Sequence, residues 1–161
     1  MMPNKPFDRI DRQILHEIQK NGNISNLELA ERVGLSPSPC SRRVRLLQEA
    51  GIIDRQVTLL DQEALGLSLT IYINVNLGNQ LSSRLDNFEA RIAEYDEVLE
   101  CALVTGSDAD YFLKVVMPDM ATYERFLLKE LNQIEGVTSI RTSFVLRQVL
   151  QRTELPLSHI H

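Results

Sequence analysis

The sequence predicts an α+β chain, a winged helix-turn-helix followed by a ferredoxin-like βαββαβ unit. Three observations point there. Apolar residues recur at helical spacing from Ile10 to Leu47. From Leu69 onward the pattern changes to strand-like alternation broken by two amphipathic stretches. Glycines fall at the joints, at Gly34, Gly51, Gly66, Gly106 and Gly136. The expected division is residues 1–60 for the helical unit, 61–68 for a linker, 69–150 for the second unit and 151–161 for a tail.

Residues 1–6 read as a frayed end. Asp8 can cap a first helix to about Lys20, with Ile10, Ile14, Leu15 and Ile18 inward, and Asn21-Gly22-Asn23 ends it. Ser25 to Glu28 has the capping-box pattern and opens a second helix to about Val33, with Leu27, Leu29, Ala30 and Val33 inward. Gly34 turns the chain into a third helix. Ser36 stands at its N-cap, Pro37 at its first position, and Gly51 at its end. Ile52 to Leu60 reads as strand, with Asp54-Arg55 as a hairpin or wing tip, and Asp61 to Gly66 as one helical turn.

In the second unit, 69–77, 97–105 and 111–117 read as strands, and 81–94 and 120–134 as helices, the latter opened by Asp119. Thr138 to Leu150 contains the last strand. Both helices then lie on one face of a four-stranded antiparallel sheet. Tyr72, Val98, Val104, Phe112 and Val115 are too many apolar residues for a single face, which predicts that a second copy covers the open one.

The formal net charge is −5, but residues 1–60 carry nine Lys/Arg against seven Asp/Glu while the remainder is acidic. The mildly basic part is the helical part. With 43% hydrophobic and 24% charged residues the chain reads as soluble and globular. No apolar run reaches membrane length and no signal-like leader appears, so a cytoplasmic location and no membrane partner are expected. Cys40 and Cys101 are isolated, which predicts neither structural zinc nor a disulfide. No Ser-His-Asp set, P-loop or dinucleotide fingerprint is present, and His16, His159 and His161 sit near no nucleophile. No catalytic residue, metal site or cofactor is expected.

The third helix carries the chemistry of the helical unit. Cys40, Val44 and Leu47 give it an apolar side, and Cys40 reads as core. Its other faces bear Ser38, Ser41, Arg42, Arg43 and Arg45. Hydroxyl and guanidinium donors on a docked helix suit the major groove of double-stranded DNA. Arg42 and Ser38 are candidates for base edges, whereas Arg43 and Arg45 suit phosphate or a carboxylate of the domain itself. Asn26 and Ser36, near helix N-termini, and Arg55 at the wing suit phosphate, although Ser36 also reads as a plain cap. A three-helix packing unit that binds nothing is the alternative.

These residues carry a resemblance. The stretch DRIDRQILHEIQKNGNISNLELAERVGLSPSPCSRRVRLLQEAGII, then ALVTG, DYFLKVVMPDM and TSFVL, from about Phe7 to Leu157, resembles the leucine-responsive/asparagine regulators (Lrp/AsnC, feast/famine). The resemblance implies a DNA-binding transcriptional regulator without catalytic activity. It implies homodimers assembling to tetramers or octamers, and a second unit that senses a small molecule, commonly an amino acid.

The loop from Thr105 to Tyr111 is the candidate effector element. Backbone N–H groups near Gly106 can hold a carboxylate, and Asp108 or Asp110 an ammonium group. The resemblance extends the site to Met120 and to Ser143, Phe144 and Val145, facing a neighbouring dimer. Leu103, Met120 and Phe144 suit an apolar amino acid such as leucine or methionine. A tight turn with local aspartate hydrogen bonds is the alternative. Members usually place the aspartate three residues after the glycine, whereas Asp110 stands four after Gly106. An enzyme or a pure assembly module built on the ferredoxin-like half remains the rival function.

Overall fold

The computed structural model describes residues 8–78, 82–106 and 108–160. The frayed start expected at 1–6, residue 81 of the expected helix, Ser107 of the loop and His161 lie outside the described residues. The described chain forms two compact units: one up to Leu59 joined by the residues from Leu150 onward, the other Leu60–Val149.

In the first unit α1 spans Arg9–Lys20, α2 Asn26–Val33 and α3 Pro37–Glu49. Asp8 caps α1 by accepting from the Asp11 N–H at 2.8 Å, and Asp11 reaches back to the Asp8 N–H. Ser25 Oγ accepts from Glu28 N–H, but the Glu28 carboxylate pairs with Arg32 at 2.6 Å, so only one side of the expected box forms. Gly34 turns α2 into α3 at φ 71°, a left-handed conformation that glycine adopts without steric cost. Ser36 stands at the N-cap of α3, yet its side chain makes no capping hydrogen bond.

The core holds Ile14, Leu15, Leu29, Ala30, Val33, Cys40 and Leu47. Burying a side chain such as Ile14, at 0% exposure, stabilises by about 1.5–3 kcal/mol. Exposed ion pairs such as Arg32 with Glu17 count for little beside this. Leu27, expected inward, is 61% exposed. Two residues along a helix is a rotation of about 200°, so a helix that turns Leu29 and Val33 inward turns Leu27 out.

Two further expectations are corrected here. Residues 52–60 form no strand: Ile52 and Ile53 pack on the core, while Val57, Leu59 and Leu60 stay exposed in extended chain. A strand needs a partner, and no described residue supplies one. The last residues are not a free tail. Gln19 brackets Leu155, accepting from its N–H at 2.7 Å and donating to its carbonyl at 3.3 Å. Arg12 donates to the Ile160 carbonyl, and Leu157 packs against the helical core.

The second unit runs β1 (Leu69–Leu77), α4 (Ser82–Ile92), β2 (Val98–Leu103), β3 (Tyr111–Met117), α5 (Met120–Lys129) and β4 (Val137–Phe144). The sheet order is β2-β3-β1-β4, antiparallel throughout. Ile71, Ile73 and Val75 of β1 and Tyr111, Leu113 and Val115 of β3 bury one face against Phe88 and Ile92 of α4 and Tyr123 and Phe126 of α5. The helix expected at 120–134 ends at Lys129 and resumes as a 3-10 turn over Leu131–Gln133. The last strand stops at Phe144, short of the expected reach, with the Val145 N–H still donating to the Thr70 carbonyl of β1 at 3.0 Å.

The open face differs from expectation as well. Val115 is fully buried and Val98 packs on the same core, both on the helix side. The open face carries Tyr72 and Phe112, stacked with centroids 5.2 Å apart, among Asn74, Lys114, Arg141 and Ser143. It is an amphipathic face.

Arg43 of α3 bonds Asp8 and Asp11 of α1 at 2.7 Å each. The Asp11 backbone N–H, and then Arg43, hold the Asp8 carboxyl below its ordinary 3.8. A carboxyl lowered by folding adds stability above its unfolded pKa and loses it as pH falls through the folded value. Urea unfolding should therefore show the helical unit weakening below about pH 4, with a shallower decline in Asp8→Asn. Arg43→Ala should cost about 1–3 kcal/mol at neutral pH, because Asp11, only 9% exposed, loses its partner. An unchanged midpoint in Arg43→Ala would refute this.

Candidate nucleic-acid interface and effector site

The roll of α3 about its axis is set by Cys40 and Leu47, buried at 0% and 6%. At about 100° per residue, Ser38, Ser41, Arg42 and Arg45 then fall on the far side. All four are exposed. Arg42 makes no ion pair with any described residue. Arg45 Nε lies 3.4 Å from Glu49 one turn on, an exposed pair that solvent screens.

The remaining DNA candidates divide. Arg43 is half-buried and held by the two α1 carboxylates, the domain-carboxylate role that the sequence left open. Asn26 Nδ2 donates to the Pro37 carbonyl at 2.9 Å and ties the head of α2 to the head of α3. Ser36 keeps its hydroxyl out of capping, at a helix N-terminus that favours anions. Arg55 lies on the extended segment, 3.8 Å from Asp54. Cys40 is core, and burial pushes its thiol up, the opposite of activation by the neighbouring arginines.

In the second unit the loop residues are organised by the sheet. Gly106 takes φ 80°. Asp110 accepts from the Leu77 N–H through its carboxylate at 2.8 Å, and its N–H donates to the Val75 carbonyl at 3.0 Å. That carboxylate closes the end of β1, a contact with a residue distant in sequence rather than the local hydrogen bond of a tight turn. Asp108 is exposed, 3.6 Å from Arg141.

Of the other expected effector residues, Leu103 pairs with Tyr111 at the loop's end of the sheet, and the rest lie elsewhere. The pairing of Val75 with Tyr111 and of Ile71 with Phe144 puts the Gly106–Asp110 loop at one end of the sheet and Ser143, Phe144 and Val145 at the other. The four residue steps from Ile71 to Val75 span about 13 Å. Met120, 54% exposed, follows Met117, which pairs with Leu69 at that second end. Ser143 faces the open side beside Tyr72, whereas Phe144 packs edge-on against Tyr123 on the helix side. Leu103 stands on β2, at the edge of the sheet opposite β4. One chain therefore does not gather these residues into a single pocket.

A groove that the sequence did not signal runs between α4 and β2. Its volume is about 350 Å³, and its lining includes Glu89, Ile92, Ala93, Leu99, Cys101 and Leu103. Glu89 accepts from the buried Tyr111 hydroxyl at 2.7 Å. Burial, and then Glu89, push the Cys101 thiol up to about 11, so it is no nucleophile at neutral pH. No group of three or more His, Cys, Asp or Glu that could hold a metal occurs among the described residues.

Comparison with known proteins now adds to this geometry. Residues 7–54 match a winged helix-turn-helix DNA-binding domain, and residues 70–155 match the Lrp/AsnC ligand binding domain. The leucine-responsive regulatory protein of Escherichia coli K12 is 42% identical over 153 residues, covering 95% of this chain and 93% of that protein. A Neisseria meningitidis transcriptional regulator, solved as its L-Met complex, superimposes with a TM-score of 0.92 at 38% identity, covering 96% of this chain and 99% of that one. Escherichia coli AsnC superimposes at 0.85 with 27% identity, covering 94% and 100%. An outward donor-bearing helix on a helix-turn-helix, an effector-binding unit beyond it and similarity over nearly the whole length lead to one conclusion: the chain belongs to the Lrp/AsnC family of DNA-binding transcriptional regulators, which are not enzymes.

Proposed function

We propose that this regulator reads double-stranded DNA through Ser38, Ser41, Arg42 and Arg45 of α3, with Ser36 and Arg55 on the phosphates. The observation that carries this reading is the fixed roll of α3, which leaves these side chains outward while Arg43 stays on Asp8 and Asp11. Arg43 and Asn26 act from behind, holding α3 on α1 and α2. No helix among the described residues is long and apolar enough to cross a membrane. The protein works in the cytoplasm, where its DNA is.

The effector is an apolar amino acid, leucine or methionine. The names of two relatives support this, the leucine-responsive protein and the regulator solved with L-Met. The site forms between copies: Gly106 and Asp108 of one chain meet Met120, Phe144 and Val145 of another, since one chain holds them at opposite ends of its sheet. Homodimers that associate to tetramers or octamers supply that second copy. Exposed apolar residues such as Val57, Leu59, Leu146 and Val149 favour such assembly. A ligand that contacts one assembly tenfold better than another shifts the balance by about 1.4 kcal/mol.

In a shift assay, Arg42→Ala should lose about 1–3 kcal/mol on its best site and relax one base position. Arg45→Ala should weaken all sequences alike and lower the salt slope by about one. Unchanged affinity in Arg42→Ala would remove the assignment.

Calorimetry with L-leucine and L-methionine should give saturable heat, weakened in Met120→Glu while the circular dichroism spectrum is kept. Absence of heat from both amino acids would remove the effector reading and leave the DNA reading standing.

A further inference from the structure

Pro37 opens α3 on the side that carries the donors. At about 100° per residue it falls about 40° from Ser41, one turn on, and about 120° from Arg43, which is held by α1. Pro37 is exposed. Its nitrogen carries no hydrogen. Its carbonyl is already engaged, accepting from Asn26 Nδ2 at 2.9 Å. The ring is therefore what this residue can offer to a partner, and the ring is apolar. Its position is fixed twice, by the preset φ of proline and by the tie from Asn26 to the head of α2.

The head of α3 as a whole is short of backbone donors. Between the Ser36 cap and Cys40, Pro37 and Pro39 have no N–H, and Ser38 alone supplies one. The Cys40 N–H is spent on the Ser36 carbonyl at 3.2 Å. A helix start that seats a phosphate does so with several converging N–H groups. The two prolines remove that capacity here, so a phosphate near this end meets the free Ser36 hydroxyl rather than a ring of backbone donors.

Base edges in the major groove present donors, acceptors and one apolar group, the C5-methyl of thymine. In a helix-turn-helix the first residues of the second helix are those that reach base edges. A ring without a donor complements only the methyl. A polar edge set against it loses its water and gains no hydrogen bond, which disfavours the other bases. We propose that Pro37 is a specificity-determining residue that reads the C5-methyl of a thymine, one contact for each α3 on the DNA. The inference rests on the α3 reading given above and deepens it. Ser38, Ser41 and Arg42 select by hydrogen bonds, whereas Pro37 selects by apolar contact. Pro37 and Ser41 are one turn apart, about 6 Å along the axis, so the thymine stands within about two base pairs of the base that Ser41 meets.

The full-length protein is titrated against the duplex recovered by in vitro selection, and against duplexes in which each thymine in turn is replaced by deoxyuridine, which lacks only the C5-methyl. At one thymine per α3 the replacement should weaken binding about fourfold, the equivalent of about 0.8 kcal/mol for one buried methyl. Pro37→Ser restores an N–H that needs no partner at the first helical position, so circular dichroism should be unchanged. That variant should bind the thymine and deoxyuridine duplexes equally. A second readout needs no variant: with cytosine at the same position, methylation of its C5 should raise the affinity of the unaltered protein by the same factor. A deoxyuridine effect that persists in Pro37→Ser, or the absence of any thymine whose methyl matters, would overturn the proposal. Arg42→Ala, measured on the same duplexes, separates the two levels. If it loses affinity where no methyl matters, α3 reads the DNA and the Pro37 assignment alone fails. If neither Arg42→Ala nor Pro37→Ser changes binding, the α3 reading fails and this inference fails with it.

Discussion

Arg43 reaches from α3 to two carboxylates of α1, Asp8 and Asp11, at 2.7 Å each. Much of the helical unit depends on this contact. Apolar burial through Cys40 and Leu47 sets which side of α3 meets the core. The charge-assisted hydrogen bonds are directional, and they pin the helix against rotation. The same Asp8 caps α1, so the start of one helix and the roll of another share a side chain. Asn26 adds a second tie, from the head of α2 to Pro37. With α3 fixed from behind, Ser38, Arg42 and Arg45 are displayed without needing contacts of their own. On the DNA reading proposed above, a helix fixed in advance lowers the conformational entropy lost on binding.

The second unit is organised by a different constraint, the register of its two central strands. β1 and β3 bury every second side chain against α4 and α5. Their pairing also sets where each loop emerges. Asp110 closes the end of β1 by accepting from Leu77, which holds the Gly106 loop to that end. Phe144 is held to the other end by pairing opposite Ile71. A ligand that touches both groups has to bridge two copies, and a bridging ligand reports on assembly by construction.

The chain passes between its units twice, once after Leu59 and once before Leu150. The second passage is docked, with Gln19 bracketing Leu155 and Leu157 entering the helical core. The ferredoxin-like unit is thus tied covalently to the helical unit through both of its ends.

The sequence by itself determined the order of the elements, their turning points and the side of α3 that bears the donors. Those follow from local periodicity and from residues whose preferences are intrinsic: the Asp8 cap, Pro37 at a first helical position, Gly34 at a left-handed turn. Other features depend on which partner a residue meets, and no local pattern carries that information. Leu27 faces solvent because the roll of α2 is chosen by Leu29 and Val33. Val57 and Leu59 alternate like a strand but find no edge among the described residues. Val115 belongs to the core because its register with Ile71 puts it on the helix side. Asp110 bonds β1 rather than standing free, and the residues expected to share an effector pocket emerge at opposite ends of one sheet. Only the tertiary structure decided these points, since strand register and helix roll are settled by contacts between residues far apart in sequence.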